Sequence, residues 1–460
     1  MSDRRTTRWL VVGVFAFSCS DQVLVGSSSS TVLKQIPTSP DLDVLFVIDN
    51  SAQTADKQAL FGSDLPAFVA ALDQFPGGRP NLHIGVVDST LDLGVALPGC
   101  PSPNTTDDGR LQHIARISGC TAPSGNFITD VAGPDGSASP RQTNYSDTLD
   151  RAIACIAEVG AGGCGFEGQL GSLARALDGR NPDFLRSDAD LAVVILTDED
   201  DASTNPGSNG WAIPTPTSDF VLQPLFAYTC DRPITAGSET ETYTNCVPRT
   251  GSYLTDIDAL YQAVAKFKDP SQVSVSLIAG DPQSTIQTGS LAIGGAVQDP
   301  ALFPSCSATI NGGEMVGRPG IRLKAFADRF APNSSFASVC QSDYTQALVA
   351  AAGTISTMMS TPCLAGTVDT TDADATNPGV QPVCTVVDQF DFGQPDQSTL
   401  TMPACPMLAA TLPDPNGPRP CWWAAIDESC LPSSELAMHI ERNTPAPPGT
   451  VVSESCAKAH

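Results

Sequence analysis

Positively charged side chains are scarce in this chain. Its 460 residues include 24 Lys and Arg against 50 Asp and Glu, which gives a net charge of −26. Proteins that bind nucleic acid need clustered Lys and Arg to neutralise phosphates, so this composition argues against a nucleic-acid partner. The same shortage disfavours a soluble domain that lies on anionic lipid. Apolar residues make up 41% of the chain, which is enough for a hydrophobic core.

The fifteen cysteines include no Cys-x-x-Cys pair. The chain therefore lacks the usual signature of zinc ribbons, iron–sulfur clusters and thioredoxin-type redox motifs. So many cysteines without such a motif indicate disulfides formed in an oxidising compartment. Proximity in sequence favours four pairs, although spacing alone does not fix connectivity: Cys100–Cys120, Cys155–Cys164, Cys230–Cys246 and Cys306–Cys340. Six further disulfide candidates follow: Cys363, Cys384, Cys405, Cys421, Cys430 and Cys456.

Catalytic motifs are lacking as well. The chain has only four His residues, and it contains no Gly-x-Ser-x-Gly elbow, no His-Glu-x-x-His and no phosphate-binding loop. A hydrolase that works with paired carboxylates needs no local motif, so that class of enzyme stays open as an alternative.

The N-terminus has the pattern of an export signal. Three arginines in the first eight residues precede the apolar run Trp9–Phe17, which is too short to span a bilayer comfortably. We therefore predict a signal peptide over residues 1–18. The following Cys19 completes a stretch that resembles a bacterial lipobox, which predicts a lipid anchor on Cys19 and a place in the cell envelope, at the outer membrane. The alternative is a signal cut elsewhere, which gives a periplasmic or secreted protein. Residues 19–42, rich in Ser and Pro, are predicted to form a flexible tether.

Buried-strand and amphipathic-helix patterns alternate between residues 43 and 360. Continuous apolar runs predict strands at 44–48, 82–87, 191–196 and 273–278. Helical periodicity predicts helices at 54–72, 145–157, 167–177, 257–267, 321–330 and 344–359. This alternation predicts an open, doubly wound α/β domain with a mostly parallel sheet.

Residues 361–460 have a different character. They lack helical periodicity, and short β runs at 384–387 and 436–440 stand between turn-rich segments that carry cysteines. The pattern predicts a small disulfide-rich β module.

Acidic and hydroxyl side chains follow two of the predicted strands directly. Asp49 and Ser51 follow the first strand, and the acidic run Asp198–Asp201 follows the strand at 191–196. An open α/β sheet binds ligands at the carboxyl ends of its strands, so these side chains are expected on one rim. Carboxylate and hydroxyl oxygens suit Mg²⁺ or Ca²⁺.

The run Asp43–Ser51 (DVLFVIDNS), the later stretch Ile195–Asp198 (ILTD) and the α/β alternation resemble a von Willebrand factor A-type domain. The resemblance covers residues 43–360. It implies a metal-ion-dependent adhesion site, in which an Asp-x-Ser-x-Ser motif, a Thr from a second loop and an Asp after a later strand hold the ion.

The match to that adhesion site is incomplete. Asp49, Ser51 and Asp198 stand at three ligand positions, whereas Gln53 replaces the second Ser and residues 162–167 (GGCGFE) lack the expected Thr. The resemblance therefore implies a degenerate site for Mg²⁺ or Ca²⁺, in which Gln53 lends its amide oxygen. Two alternatives stay open: Asp49 and Ser51 cap the following helix without a metal, and the acidic run is a solvated loop.

The stretch Gly163–Glu167 (GCGFE), with Gly109–Leu111 leading to Cys120, is also similar to a subgroup of cysteine-rich bacterial surface lipoproteins. This similarity implies a non-enzymatic envelope protein whose A-type domain binds a protein or glycan ligand. One alternative is an envelope hydrolase that uses carboxylates on the same rim, such as Glu199 or Asp200. The other is a purely structural envelope protein.

Overall fold

The computed structural model describes residues 28–33, 41–75, 78–94, 100–102, 104–133, 140–187, 189–204, 227–235, 237–251, 254–268, 270–293, 296–310, 313–359, 364, 368–370, 376–390, 397–426, 436–443 and 451–457. The predicted signal peptide, Cys19, Cys363 and Cys430 lie outside these residues. Within the described part of the chain, no helix is long and apolar enough to cross a membrane.

Strands and helices are numbered here in chain order. The strands are β1 (Ser28–Leu33), β2 (Asp41–Ile48), β3 (Asn81–Asp88), β4 (Ile128–Val131), β5 (Gln142–Thr143), β6 (Asp190–Leu196), β7 (Tyr228–Thr229), β8 (Glu241–Tyr243), β9 (Val247–Pro248), β10 (Val273–Ala279), β11 (Ile286–Ile293), β12 (Ala296–Leu302), β13 (Cys306–Ile310), β14 (Gly313–Gly317), β15 (Ser334–Ser338), β16 (Cys384–Phe390), β17 (Ser398–Met402), β18 (Met407–Ala409), β19 (Leu412–Pro413), β20 (Cys421–Ile426), β21 (Leu436–Glu441) and β22 (Val451–Ala457). The helices are α1 (Ala55–Leu72), α2 (Leu149–Ala157), α3 (Gln169–Ala176), α4 (Ile257–Ala265), α5 (Ile321–Ala327) and α6 (Thr345–Met359).

A seven-stranded sheet in the order β15-β10-β6-β2-β3-β4-β5 organises the α/β domain. Strands β15, β10, β6, β2 and β3 run parallel, and β4 and β5 join antiparallel at one edge. The predicted α/β class with a mostly parallel sheet is confirmed.

Helices cover both faces of this sheet, because its central strands are apolar on both sides. Every residue of β6 is buried, as are all but the first of β2. On one face α1, α2 and α6 pack over the sheet, where Phe46 makes edge-to-face contacts with Phe61 and Phe68 at centroid distances of 5.5 and 5.7 Å. On the other face α3, α4 and α5 enclose a second apolar cluster around Leu45 and Phe326. Burial on two faces fixes β2 and β6 at the centre of the sheet.

Two hairpins between β10 and α5, and the pairing of one of them with the earlier strand β8, were not predicted from the sequence. Strands β11 and β12 pair antiparallel, β11 also pairs with β8, and β13 pairs with β14. In β13 no residue is fully buried. Such strands lack the continuous apolar run by which a doubly buried strand is recognised.

The C-terminal module is built from small antiparallel sheets, as predicted. Its largest sheet has the order β1-β22-β16-β17, and β20 pairs with β21. Strand β1 (Ser28–Leu33) comes from the segment predicted to be a flexible tether, so part of that segment is instead an edge strand paired with β22. The disulfide Cys384–Cys456 joins directly opposed positions of β16 and β22.

Disulfides occur in both parts of the chain. The predicted pairs Cys230–Cys246 and Cys306–Cys340 are confirmed. The predicted pairs Cys100–Cys120 and Cys155–Cys164 are wrong, because Cys100 bonds Cys164 and Cys120 bonds Cys155. In the C-terminal module, Cys405 bonds Cys421. Disulfides of this number form in oxidising compartments, which indicates an extracytoplasmic protein.

Candidate functional site

The carboxyl ends of β2, β3 and β6 form one rim of the sheet, and Asp49, Ser51 and Asp198 lie on it. The loops after β2 and β6 are joined across the rim, since the Asp49 N–H donates to the Leu196 carbonyl at 2.9 Å. Asp49, Ser51 and Asp198 are 1%, 8% and 3% exposed. The structure thus brings these three predicted residues together in a buried position.

Both carboxylate oxygens of Asp49 already accept hydrogen bonds from the protein. The Ser51 N–H donates to Oδ1 at 2.8 Å, and the Thr197 hydroxyl donates to Oδ2 at 2.6 Å. The carbonyl of Asp49 accepts from Thr54 Oγ1 at 2.9 Å and from Gln58 Nε2 at 2.7 Å. Asp49 therefore organises the loop that leads into α1.

Lys57 brings a cation into this site. Its ammonium lies 3.0 Å from Asp198 Oδ2 and donates to the Gln53 carbonyl at 2.8 Å. Lys57 is only 2% exposed because it falls on the buried stripe of α1, four residues before Phe61 and eight before Leu65. A buried Lys of this kind requires an anionic partner, and Asp198 is that partner.

Gln53 is placed differently from its predicted role. Its side chain is exposed, and only its backbone carbonyl takes part in the site, as an acceptor for Lys57. Gln53 therefore contributes its main chain to the site, whereas the residue itself is exposed to solvent.

The loop at 162–167 packs closely against the loop after β2. The Gly163 N–H donates to the Asn50 carbonyl at 2.7 Å, and a Cβ added at Gly163 would lie 2.1 Å from Asn50 Oδ1. Only glycine permits this approach of the two loops. Thr90, which follows β3, donates to Asn50 Oδ1 at 2.8 Å and accepts from the Cys164 N–H at 3.1 Å. The hydroxyl at this junction therefore binds Asn50 and Cys164.

Carboxylates crowd the same region. Burial raises the pKa of Asp49 to about 7, and the nearby Asp198 carboxylate adds to the rise. Glu167 is 1% exposed, and burial, followed by the charges of Glu199, Asp49 and Asp198, raises its pKa well above the usual value. Among the described residues, Glu167 Oε2 and Asp198 Oδ1 have no hydrogen-bond donor. Burial and mutual repulsion at this rim thus favour the protonated forms of Asp49 and Glu167, and they favour pairing of the remaining carboxylates with cations of the chain.

The acidic run after β6 is buried, so the solvated-loop alternative is wrong. Asp200 accepts from the Tyr228 hydroxyl at 2.8 Å and from the N–H groups of Arg322 and Leu323 at 2.8 and 3.0 Å. Asp201 accepts from Arg322 Nη2 at 3.0 Å, and neither side chain of this ion pair is exposed. These two acids anchor the start of α5 to the rim.

Glu199 pairs with a second buried arginine. Arg318 Nε donates to Glu199 Oε1 at 3.0 Å, while the Arg318 N–H donates to the Asp198 carbonyl at 2.7 Å. Arg318 is 2% exposed, so this contact is largely desolvated. Three cations of the chain, Lys57, Arg318 and Arg322, therefore pair with Asp198, Glu199 and Asp201 of the acidic run.

A divalent ion, which the A-type resemblance implies, does not fit this arrangement. The ammonium of Lys57 stands 3.0 Å from the Asp198 oxygen that would bind the ion, so an ion there would face a buried positive charge. Among the described residues, the group of His, Cys, Asp and Glu side chains gathered within 4.8 Å is Cys384, Glu454 and Cys456 in the C-terminal module, where the two cysteines are joined in a disulfide and so are not thiolate ligands. The rim carboxylates are not gathered that closely.

The sequence interpretation missed Lys57, Arg318 and Arg322. A usable signal existed for Lys57, because it is in register with the apolar stripe of α1, and that register indicates a buried position. For Arg318 and Arg322 the only signal was indirect: a buried acidic run needs cations, but the sequence does not say which ones.

No protein-family model and no curated protein matches the sequence. Among solved structures, the chain is similar to the pilus adhesin SpaC from Lactobacillus rhamnosus GG in its open conformation, at 10% identity and a TM-score of 0.30, over 92% of this chain and 39% of that one. It is similar to the conserved hypothetical protein BatB from Bacteroides thetaiotaomicron at 11% identity and a TM-score of 0.28, over 69% of this chain and 98% of that one. It is also similar to the pilus adhesin RrgA from Streptococcus pneumoniae at 10% identity and a TM-score of 0.23, over 93% of this chain and 57% of that one. The chain thus spans less than two thirds of either adhesin, and scores this low carry no argument about function.

Proposed function

We propose that this chain is a non-enzymatic binding protein of the bacterial cell envelope, held there by a lipid on Cys19. Its α/β domain would recognise a protein or glycan ligand through the loops at the carboxyl-end rim of the sheet. A carboxylate-based hydrolase on the same rim is the competing proposal.

The burial of the rim carboxylates supports binding over catalysis. Asp49, Asp198 and Asp200 are 1%, 3% and 0% exposed, and each is bonded to groups of the protein. A glycoside-type or general-base mechanism needs a carboxylate that reaches both water and substrate. The rim instead presents exposed Ala52 and Gln53 to solvent, which suits surface contact.

The lipid anchor makes a direct prediction about the mature N-terminus. We expect mass spectrometry to find a peptide that begins at Cys19 and carries an added lipid. Cys19→Ser should move the protein out of the membrane fraction, whereas the neighbouring control Ser20→Ala should leave it there. A mature N-terminus at another residue, without lipid, would reject the anchor while leaving the rim proposal intact.

Ligand binding through the rim makes a second prediction. We expect fluorescently labelled protein, residues 20–460, to bind saturably to envelope preparations of the source cells. The variant Ala52→Arg/Gln53→Arg places two charges on the exposed rim and should weaken that binding about tenfold, a loss of about 1.4 kcal/mol. Protease and glycosidase treatment of the envelopes separates a protein ligand from a glycan.

The matched control changes two positions near the C-terminal end of α1, whereas Ala52 and Gln53 stand just before its N-terminal end. Ala70→Arg/Gln74→Arg makes the same two changes at exposed positions near the end of α1, and it should bind as the wild type does. Equal binding by both double variants, or no saturable binding at all, contradicts recognition at the rim. Turnover of ester, glycoside or phosphate substrates that is lost on Glu199→Gln would favour the hydrolase.

A further inference from the structure

We infer that Lys57 is a built-in replacement for the divalent cation of an A-type adhesion site, so that the rim is closed to Mg²⁺ and Ca²⁺. The inference concerns only the cation of the site and stands whether or not the rim binds a macromolecular ligand. It rests on the position of one ammonium group and on the hydrogen bonds of the surrounding acids.

The Lys57 ammonium lies between the loop after β2 and the loop after β6. Lys57 Nζ lies 3.0 Å from Asp198 Oδ2 and 2.8 Å from the Gln53 carbonyl oxygen, so it contacts the two loops that would otherwise meet at an ion. Its side chain is 3% exposed, and the Asp198 side chain is 4% exposed. A metal ion at Asp198 Oδ2 would stand next to a buried positive charge, and removing that charge from its partner is costly.

Asp49 and Gln53, which the resemblance places at two other ligand positions, are also engaged differently from ligands of an ion. Asp49 Oδ1 and Oδ2 accept one hydrogen bond each, from the Ser51 N–H and the Thr197 hydroxyl, so part of their acceptor capacity is already used inside the protein. Gln53 turns its side chain to solvent. Hard divalent cations take six or more oxygen ligands, water included, and at this rim Lys57 already occupies Asp198 Oδ2, the carboxylate oxygen that the ion would need.

Two sequence changes account for the replacement together. Gln53 stands where the adhesion-site pattern has its second Ser, and Lys57 follows four residues later, in the first turn of α1, which begins at Ala55. Side chains of a helix tilt toward its N-terminus, so the Lys57 ammonium reaches the Gln53 carbonyl just before α1. Asp198 Oδ1, which has no donor among the described residues, is the oxygen that a solution cation would take once the ammonium is removed.

The test is calorimetric titration of the whole chain with MgCl₂, CaCl₂ and MnCl₂ after treatment with EDTA. We expect no saturable heat from the wild-type protein and no change in its melting temperature on adding the ions. The variant Gln53→Ser/Lys57→Ser restores the hydroxyl pattern and removes the ammonium, and it should bind one Mn²⁺ and gain thermal stability with the ion.

The matched control is Gln53→Ser/Lys324→Ser, which removes an exposed lysine of α5 instead and should bind no ion. Circular dichroism establishes that each variant is folded before titration. One-to-one binding of any of the three ions by the wild type overturns the inference, and this measurement requires no variant to fold. A folded Gln53→Ser/Lys57→Ser protein that takes no ion also overturns it.

Discussion

Arg322→Met is expected to lower the free energy of unfolding of the α/β domain by about 3–5 kcal/mol. Arg322 and Asp201 form an ion pair in which both side chains are 0% exposed. Methionine fills a similar volume but leaves the Asp201 carboxylate buried without its cation. The guanidinium also donates to the Thr255 carbonyl at 2.7 Å, and that bond is lost as well. Urea denaturation followed by circular dichroism measures the change.

The control for this prediction is Arg329→Met, just beyond the same helix. Arg329 is paired with Asp258, but the two side chains are 48% and 73% exposed. An exposed ion pair contributes only about 0–1 kcal/mol, so Arg329→Met should cost little. The double variant Arg322→Met/Asp201→Asn removes the unpaired charge and should recover part of the loss. Equal costs for the two arginine variants would show that burial is not the source of the effect.

The central sheet was predictable because its strands are buried on both faces. Strands β2, β6 and β10 are continuous apolar runs, and no amphipathic helix explains such a pattern as well. Strand β1 was not predictable, because Ser28–Leu33 is serine-rich and pairs with β22 near the other end of the chain. Strand β1 is held by backbone hydrogen bonds to β22 at the edge of the sheet. Such bonds do not require a hydrophobic side-chain pattern that could be recognised in the sequence.

The disulfides show where sequence proximity fails as a guide. Cys164 lies in a rim loop that the fold brings against Cys100, and Cys155 lies in α2 beside Cys120. Nearest neighbours in sequence are correct for Cys230–Cys246, 16 residues apart, and for Cys306–Cys340, 34 residues apart, although Cys120 and Cys155, at a similar separation of 35, were not predicted as a pair. The pairing of the others depends on how helices and loops return to the sheet, which no spacing encodes.

The acidic rim was predictable as a place, whereas its neutralisation was not. A parallel sheet sends the ends of β2 and β6 to one rim, so Asp49 and Asp198 had to meet there. Which cation pairs with the acids of this rim depends on side chains of α1 and α5: Lys57 pairs with Asp198, and Arg322 pairs with Asp201. For a chain with a net charge of −26, internal cations matter, because they reduce the repulsion that crowding acids at one rim would cause.

Lys57→Met is expected to destabilise the α/β domain by about 3–5 kcal/mol, and most of that cost should vanish when Asp198→Asn is made with it. The single variant leaves a buried carboxylate at Asp198 facing the neighbouring Asp49, whereas the double variant leaves no unpaired charge at this contact. A double-mutant cycle of the two changes, measured by urea denaturation in the presence of EDTA, gives the coupling energy of the pair. We expect it to reach at least about 3 kcal/mol, the upper end of the range for residues in contact.

The exposed pair Lys324–Asp328 supplies the matched cycle. Its side chains are 38% and 53% exposed, and Lys324→Met with Asp328→Asn should couple by only about 0.3–0.5 kcal/mol. If the Lys57–Asp198 cycle gives no more than this, the ammonium is not held by Asp198 and the two changes are independent. A large coupling in EDTA would show that the ammonium is held by Asp198, because divalent ions are absent and Lys57 is the cation that pairs with Asp198 in the described part of the chain. The stability of the rim would then come from a charge that the chain supplies itself, and a ligand would meet the loops above a site already neutralised.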